Sequence, residues 1–236
     1  MTVGAWKNWL DGLDERDACR LIQKRKESTP SARLGATQDS RQLPLGSVQE
    51  TLFIAIRGSW HNGHHYLTEA HAMGARFFII EEDSNLPNLP DSDVLMTPGA
   101  VHAWQDFARH WRMECATDTV GITGSNGKTT VKEWLMQLFA KDHNACGSPR
   151  SFNSQVGVPL ALGDLLPEHD IAFIEAAISA PAEMERHHHS IQPTHGILTH
   201  LGNAHLQHFQ SKEELIQEKI RLFHGSQWVA MPGHLE

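Results

Sequence analysis

Cysteine is scarce in this chain, and Cys19, Cys115 and Cys146 are widely spaced and odd in number. That spacing excludes a disulfide framework and a CxxC metal site, and it suits a reducing compartment. Long apolar runs are missing as well, and no stretch approaches the roughly 20 residues of a membrane span. The N-terminus lacks a signal-peptide core, because Trp6, Trp9 and Leu10 are interleaved with Lys7, Asp11 and Asp14. A soluble, cytoplasmic protein without membrane insertion is therefore expected. Basic charge is also short: 20 Lys and Arg face 28 Asp and Glu, a net charge of −8. Nucleic acid is not an expected partner, since gripping it requires a basic face. Binding a small anion is not excluded, because a phosphate site needs only backbone N–H groups and one lysine. Internal repeats and low-complexity segments are absent too.

What remains is an ordinary globular mixture of 236 residues, 40% hydrophobic and 20% charged, enough for one large or two small domains. The 17 histidines, including the internal run His187-His188-His189, read mostly as solvated surface. Residues 1 to about 27 show helical spacing of Trp6, Leu10, Leu13, Leu21 and Ile22. After a polar loop, strands are expected at 51–56 and 75–80, with a helix at 66–73 between them and loop chemistry over 83–92. A helix over 99–113 closes this α/β region, and the pattern restarts near 116–118. Strand 119–123 leads into a helix whose Val131, Trp134, Leu135, Leu138 and Phe139 form one stripe. A loop at 142–155, a helix at 157–166, strands at 170–176 and 195–200 and a helix from 212 follow.

The turn between strand 119–123 and its helix reads Gly124-Ser125-Asn126-Gly127-Lys128-Thr129-Thr130. Small residues let backbone N–H groups face phosphate oxygens, and the helix start adds its positive end. Lys128 supplies a charge for the β- and γ-phosphates, and the Thr129 hydroxyl can ligate Mg2+. The loop is a shortened GxxGKTT form, since Ile122 stands where the usual pattern has its first glycine. Glu175 ends an apolar strand and His205 follows another, so both fall at strand carboxyl ends, where open α/β sheets bind ligands. A carboxylate and an imidazole there suit a divalent ion. Ser211 and Glu214 form a capping box opening the last helix. Lys219 sits in that helix's apolar stripe, four residues from Leu215 and from Phe223; it reads either as a snorkelling lysine or as one aimed into the site.

Taken together, Thr123 through Glu133 resemble the ATP loop of the Mur ligases, and within them the MurF type. Asp39-Ser-Arg41, Leu52 through Gly58 with Asn62-Gly-His64, Asn153 through Pro159, and Leu201 through His205 followed by Lys219 agree in order. Ser148 through Gln155 and Glu175 through Met184 are most similar to the ligase half of fused ligase–alanine racemase proteins. The common form has a second Asn where this chain has Ser154, and Gly-Glu where it has Ala182-Glu183.

The resemblance implies a small N-terminal α/β UDP-sugar domain over 1–116, then an incomplete P-loop ATPase-type α/β domain with a mostly parallel sheet over 117–236. It implies an ATP-dependent, ADP-forming ligase of peptidoglycan precursors. Such an enzyme joins D-Ala-D-Ala to a UDP-N-acetylmuramoyl-tripeptide through an acyl phosphate. Gly124 to Thr130 would hold ATP; Lys128, His205 and Lys219 would be catalytic. Thr129 and Glu175 would hold one Mg2+, and His205 with carbamylated Lys219 a second. Ser40, Arg41, His64 and Asn153 would seat substrate. The chain stops soon after the Lys219 helix, so a fragment unable to complete ligation alone is expected, and the resemblance admits a fused alanine racemase. A nucleotide-binding regulatory or scaffold module, and a MurE-type ligase, remain alternatives.

Overall fold

The computed structural model describes residues 1–13, 19–25, 28–39, 50–58, 61–81, 86–202 and 206–233. They form two compact units, Met1–His110 and Trp111–Glu236.

In the first unit, strands β1 (Arg20–Gln23), β2 (Leu34–Thr37), β3 (Glu50–Ile54), β4 (Phe77–Glu81) and β5 (Asp93–Thr97) form a sheet of order β1-β5-β4-β3-β2. All neighbours pair in parallel except β1, which runs antiparallel to β5. Strands β3 and β4 are buried almost throughout, which is why they read as continuous apolar runs. Helices α1 (Val3–Asp11), α2 (Leu67–Ala72) and α3 (Ala100–Cys115) accompany the sheet. Trp6 of α1 is fully buried, and its indole Nε1 donates to Asp93 Oδ2 at 3.1 Å.

The long N-terminal helix expected to about residue 27 is not there. Helix α1 ends at Asp11, and Leu21 and Ile22 lie on edge strand β1, each roughly 40% exposed (38% and 40%). Their apolar spacing fits a helix locally, but pairing with β5 some seventy residues away captures them instead. Strand β5 itself was not anticipated. The expected division at 116/117 lies at the end of α3, whereas the compact units separate inside that helix.

In the second unit, strands β6 (Asp118–Thr123), β7 (Ala145–Gly147), β8 (Ile171–Glu175), β9 (His195–Leu198) and β10 (Trp228–Ala230) form an all-parallel sheet of order β10-β9-β6-β8-β7. The intervening helices are α4 (Lys128–Phe139), α5 (Gly157–Gly163), α6 (Glu183–Ile191) and α7 (Lys212–Ile220). The chain leaves β6 toward one edge through β7 and β8, then crosses to β9 and β10 on the other side. Strand β6 therefore stands at the switch point, and the crevice outside its carboxyl end is where such sheets bind ligands.

One sequence expectation fails here. The α4 stripe does not face inward as drawn: Trp134 and Leu138 are 62% and 65% exposed. The packed face is instead Lys132, Leu135, Met136 and Phe139, set against β6 and β8. Apolar residues occupy two faces of α4, and the buried Lys132 selects which one turns in. The histidine run lies in helix α6, where His187 is 1% exposed; it and His64 are the buried histidines among the described residues, so the others keep to the mostly solvated reading.

Helix α6 opens at Ala182, whose φ of 67° lies in the left-handed region. That conformation strains any Cβ and suits glycine, the residue the resembled family carries there. Ala182→Gly is expected to stabilise the second unit by about 1 kcal/mol, read as a shifted urea midpoint. A midpoint that falls would show that the strain is absent.

Candidate functional site

The phosphate loop is held open by its glycines and latched by β9. Gly124 has φ 146°, and a Cβ there would lie 2.1 Å from Thr199 Oγ1 and 3.0 Å from the His200 nitrogen. Gly127, at φ 83°, starts α4. The backbone N–H of Ser125 donates to the His200 carbonyl at 2.6 Å. Ser125 Oγ donates to the Gly202 carbonyl at 3.1 Å and accepts from the Gly202 N–H at 3.0 Å. Thr199 Oγ1 lies 2.6 Å from the Asn126 carbonyl and 3.2 Å from the Thr123 carbonyl. Asn126 and Gly127 are exposed, so the loop's tip faces solvent. Lys128 folds over the loop and donates from Nζ to the Gly124 carbonyl at 2.7 Å. Burial pushes its pKa down, partly offset by the negative charge of Glu175.

Glu175, at the end of β8, is fully buried. Its Oε2 accepts from Thr129 Oγ1 at 2.9 Å, bringing together two residues predicted to share a metal ion. Among the described residues its Oε1 has no hydrogen-bond partner, and it forms an ion pair with the Lys132 ammonium at 3.2 Å. A buried carboxylate oxygen with spare lone pairs, beside a hydroxyl, is a hard oxygen set that fits Mg2+. Lys219, on α7, is 1% exposed. Burial first, and then the charge of Lys128, bring its pKa down to about 8. Lys219 thus lies within reach of Lys128's field, and among the described residues it has no carboxylate partner. Burial at this depth sets aside the snorkelling reading.

His205 lies outside the described residues, as do Ser40 and Arg41. Asn153 lines a cavity of about 430 Å³ beyond the end of β8, with Gln155, Val156, Ala177, Ile178 and Glu183. Its carbonyl accepts from the Ala177 N–H at 2.8 Å, which closes that wall. In the first unit, His64 is buried and braces the Asn62 turn against the end of β4. Its Nδ1 lies 2.9 Å from Asn62 Oδ1, and its Nε2 accepts from the Glu81 N–H at 3.0 Å. Both ring nitrogens are engaged internally, so His64 shapes the Asn62 loop from within.

Sequence reasoning missed Lys132, Thr199, Gly202 and His187. His187 Nε2 sits 2.9 Å from both the Ala177 carbonyl and Gln155 Nε2, behind the cavity wall. The only signal for Lys132 was a charged residue at the position that completes α4's second apolar face, i−3 and i−4 to Leu135 and Met136.

Comparison with known proteins bears on the family and the fold. Residues 122–230 match the Mur ligase middle domain. The chain is 28% identical over 192 residues to the UDP-N-acetylmuramoyl-tripeptide--D-alanyl-D-alanine ligase of Bacillus subtilis, covering 81% of the chain and 41% of that protein. It is 30% identical over 191 residues to the ligase of the same name from Escherichia coli, covering 80% and 40%. Among solved structures, MurF from Acinetobacter baumannii superposes with a TM-score of 0.79 at 22% identity, covering 99% of the chain and 49% of that structure. MurF ligase from Thermotoga maritima in complex with ADP gives 0.75 at 23% identity, covering 86% and 46%. At those identities the structures speak for the fold alone. The chain spans about 40% of the length of the curated relatives it matches (41% and 40%). The matched domain, the named relatives and the shared α/β fold place the chain in the Mur ligase family.

Proposed function

We propose that this chain carries the UDP-sugar and ATP-phosphate sites of an ADP-forming peptide ligase of peptidoglycan precursor synthesis. On this reading residues 1–116 seat the UDP-N-acetylmuramoyl-tripeptide and 117–236 hold ATP, in the cytoplasm. The observation that carries it is the meeting of Thr129 and Glu175 at 2.9 Å beside the phosphate loop, with Lys128 and the buried Lys219 close by. Backbone N–H groups of Gly124–Thr130 and the Lys128 ammonium cradle the β- and γ-phosphates. Thr129 and Glu175 would hold one Mg2+, and His205 with Lys219 a second; the ions supply neutralisation of phosphate charge.

Lys219 fits that role once carbamylated. A pKa near 8 leaves a larger neutral fraction than an ordinary lysine has. The free amine adds CO2, forming an N–C bond and releasing one proton, and a buried cation becomes an anion. Asn153 and the cavity at the end of β8 would receive the peptide end of the substrate. The peptide's carboxylate then attacks the γ-phosphorus, ADP leaves, and the amine of D-Ala-D-Ala displaces phosphate from the acyl phosphate. Positioning and charge neutralisation dominate such chemistry. Resemblance to fused proteins leaves an alanine racemase as a covalent neighbour to be read from the frame beyond Glu236.

Calorimetry on the 236-residue chain tests the reading. Binding of both Mg·ADP and UDP-N-acetylmuramoyl-tripeptide is expected, without amide formation by this chain alone. Failure to bind either ligand overturns it. Nucleotide binding without the UDP-sugar points instead to a regulatory nucleotide module.

A further inference from the structure

Helix α4 buries a single residue, and it is a lysine. Lys132 is 1% exposed, although an ammonium is among the costliest groups to remove from water. Its Nζ donates at 2.7 Å to the Ser148 carbonyl and at 2.7 Å to the Arg150 carbonyl. It also meets Glu175 Oε1 at 3.2 Å and Glu133 Oε1 at 2.9 Å. Arg150 adopts φ 50°, a left-handed conformation in the turn that carries one of these carbonyls. Ser148 grips Glu175 from its other end, because its Oγ accepts the Glu175 N–H at 3.0 Å. The same segment carries Ser151, whose Oγ lies 3.5 Å from Thr129 Oγ1.

One ammonium therefore joins the helix that follows the phosphate loop, the turn after β7 and the end of β8. Glu133 is half exposed and its charge is screened by solvent, so Glu175 is the buried anion that Lys132 faces inside the protein. We infer that Lys132 is a positioning residue for the metal–phosphate site: it supplies the inner counter-charge of Glu175 and holds that carboxylate turned toward Thr129. With Oε1 drawn to Lys132, Oε2 is left to the Thr129 hydroxyl and to whatever cation replaces its proton. The role deepens the nucleotide reading above and rests on it.

Two charges in a dry site act as a unit, so removing Lys132 and removing Glu175 should not add. The experiment measures ADP binding to the whole chain by calorimetry, with Mg2+ and in EDTA. Wild type is expected to gain about tenfold in affinity from Mg2+. Lys132→Gln keeps N–H donors for the two carbonyls but carries no charge. Its Mg2+ gain should fall below about threefold while affinity in EDTA stays within about twofold of wild type. Lys132→Arg should restore the gain, and adding Glu175→Gln to Lys132→Gln should remove nothing further.

An unchanged gain in Lys132→Gln overturns the inference and leaves the nucleotide reading standing. So does an equal loss with and without Mg2+, which marks Lys132 as a staple of the fold. Absence of ADP binding by wild type overturns both. Melting curves report folding; should Lys132→Gln not fold, a folded Lys132→Arg chain decides, supporting the inference if the gain persists and overturning it if not. Misfolding of both variants assigns Lys132 to the fold alone and also overturns it.

Discussion

Lys128→Met is expected to weaken Mg·ADP binding by roughly 100-fold, or about 2.7 kcal/mol, the scale of hydrogen bonds to a charged group. Lys128 Nζ rests on the Gly124 carbonyl at 2.7 Å, within the loop whose N–H groups would face phosphate. Burial weakens its hold on a proton, and Glu175 only partly compensates. An arriving phosphate supplies the missing negative charge, so the lysine gains more than an exposed one would. Methionine fills a similar volume and leaves the loop latched by Ser125, Thr199 and Gly202, so the fold should survive.

A second readout follows from the same pair. The charge of Lys128 is one of the two causes that depress Lys219. Without it, Lys219 should hold its proton more firmly and carbamylate less, seen as a smaller 13C carbamate signal from labelled CO2. Unchanged nucleotide affinity in Lys128→Met would remove the loop from any phosphate role.

Acid is expected to destabilise the second unit through His187. Burial lowers its pKa from 6.5 to about 4, with the Ala177 carbonyl and then Glu183 pulling weakly upward. The folded state therefore binds this proton less readily than the unfolded state does. Above pH 6.5 both states are neutral at this position and nothing is lost. As pH falls from about 6.5 to about 4, the unfolded chain takes up a proton that the folded chain refuses. Stability then drops by about 1.4 kcal/mol per pH unit, toward roughly 3 kcal/mol in all.

Urea unfolding at pH 7 and pH 5 measures this directly. His187→Gln, which keeps a polar group toward Ala177 and Gln155, should unfold with a shallower pH dependence than wild type. Equal slopes for the two proteins would mean that His187 does not titrate between the states. Because His187 backs the wall that Gln155 and Ala177 present to the cavity, the same acid range should weaken whatever the cavity holds.

The order of elements in both units was legible wherever a strand or helix carried its own period. Strand β3 and β4 are buried on both faces and read as apolar runs; α3 and α7 carried helical spacing and, in α7, a visible cap. The phosphate loop was legible because glycine, lysine and threonine at fixed spacing between a strand and a helix encode one local geometry. Glu175 at the end of an apolar strand could be picked out from position alone, whereas position left two readings of Lys219 open and only its burial told against snorkelling.

Elements whose stability is borrowed from distant partners were not legible. Strand β1 exists through pairing with β5, and β7 through pairing with β8. The inward face of α4 was decided by Lys132 finding Glu175 and the Ser148 and Arg150 carbonyls. The burial of His187 was decided by α6 closing over the segment after β8. The sequence alone determined the local signals: periodicity, caps and the loop's short motif. Only the tertiary structure decided which charges and imidazoles are enclosed, because the cost of burying a polar group is met by partners far away in the chain.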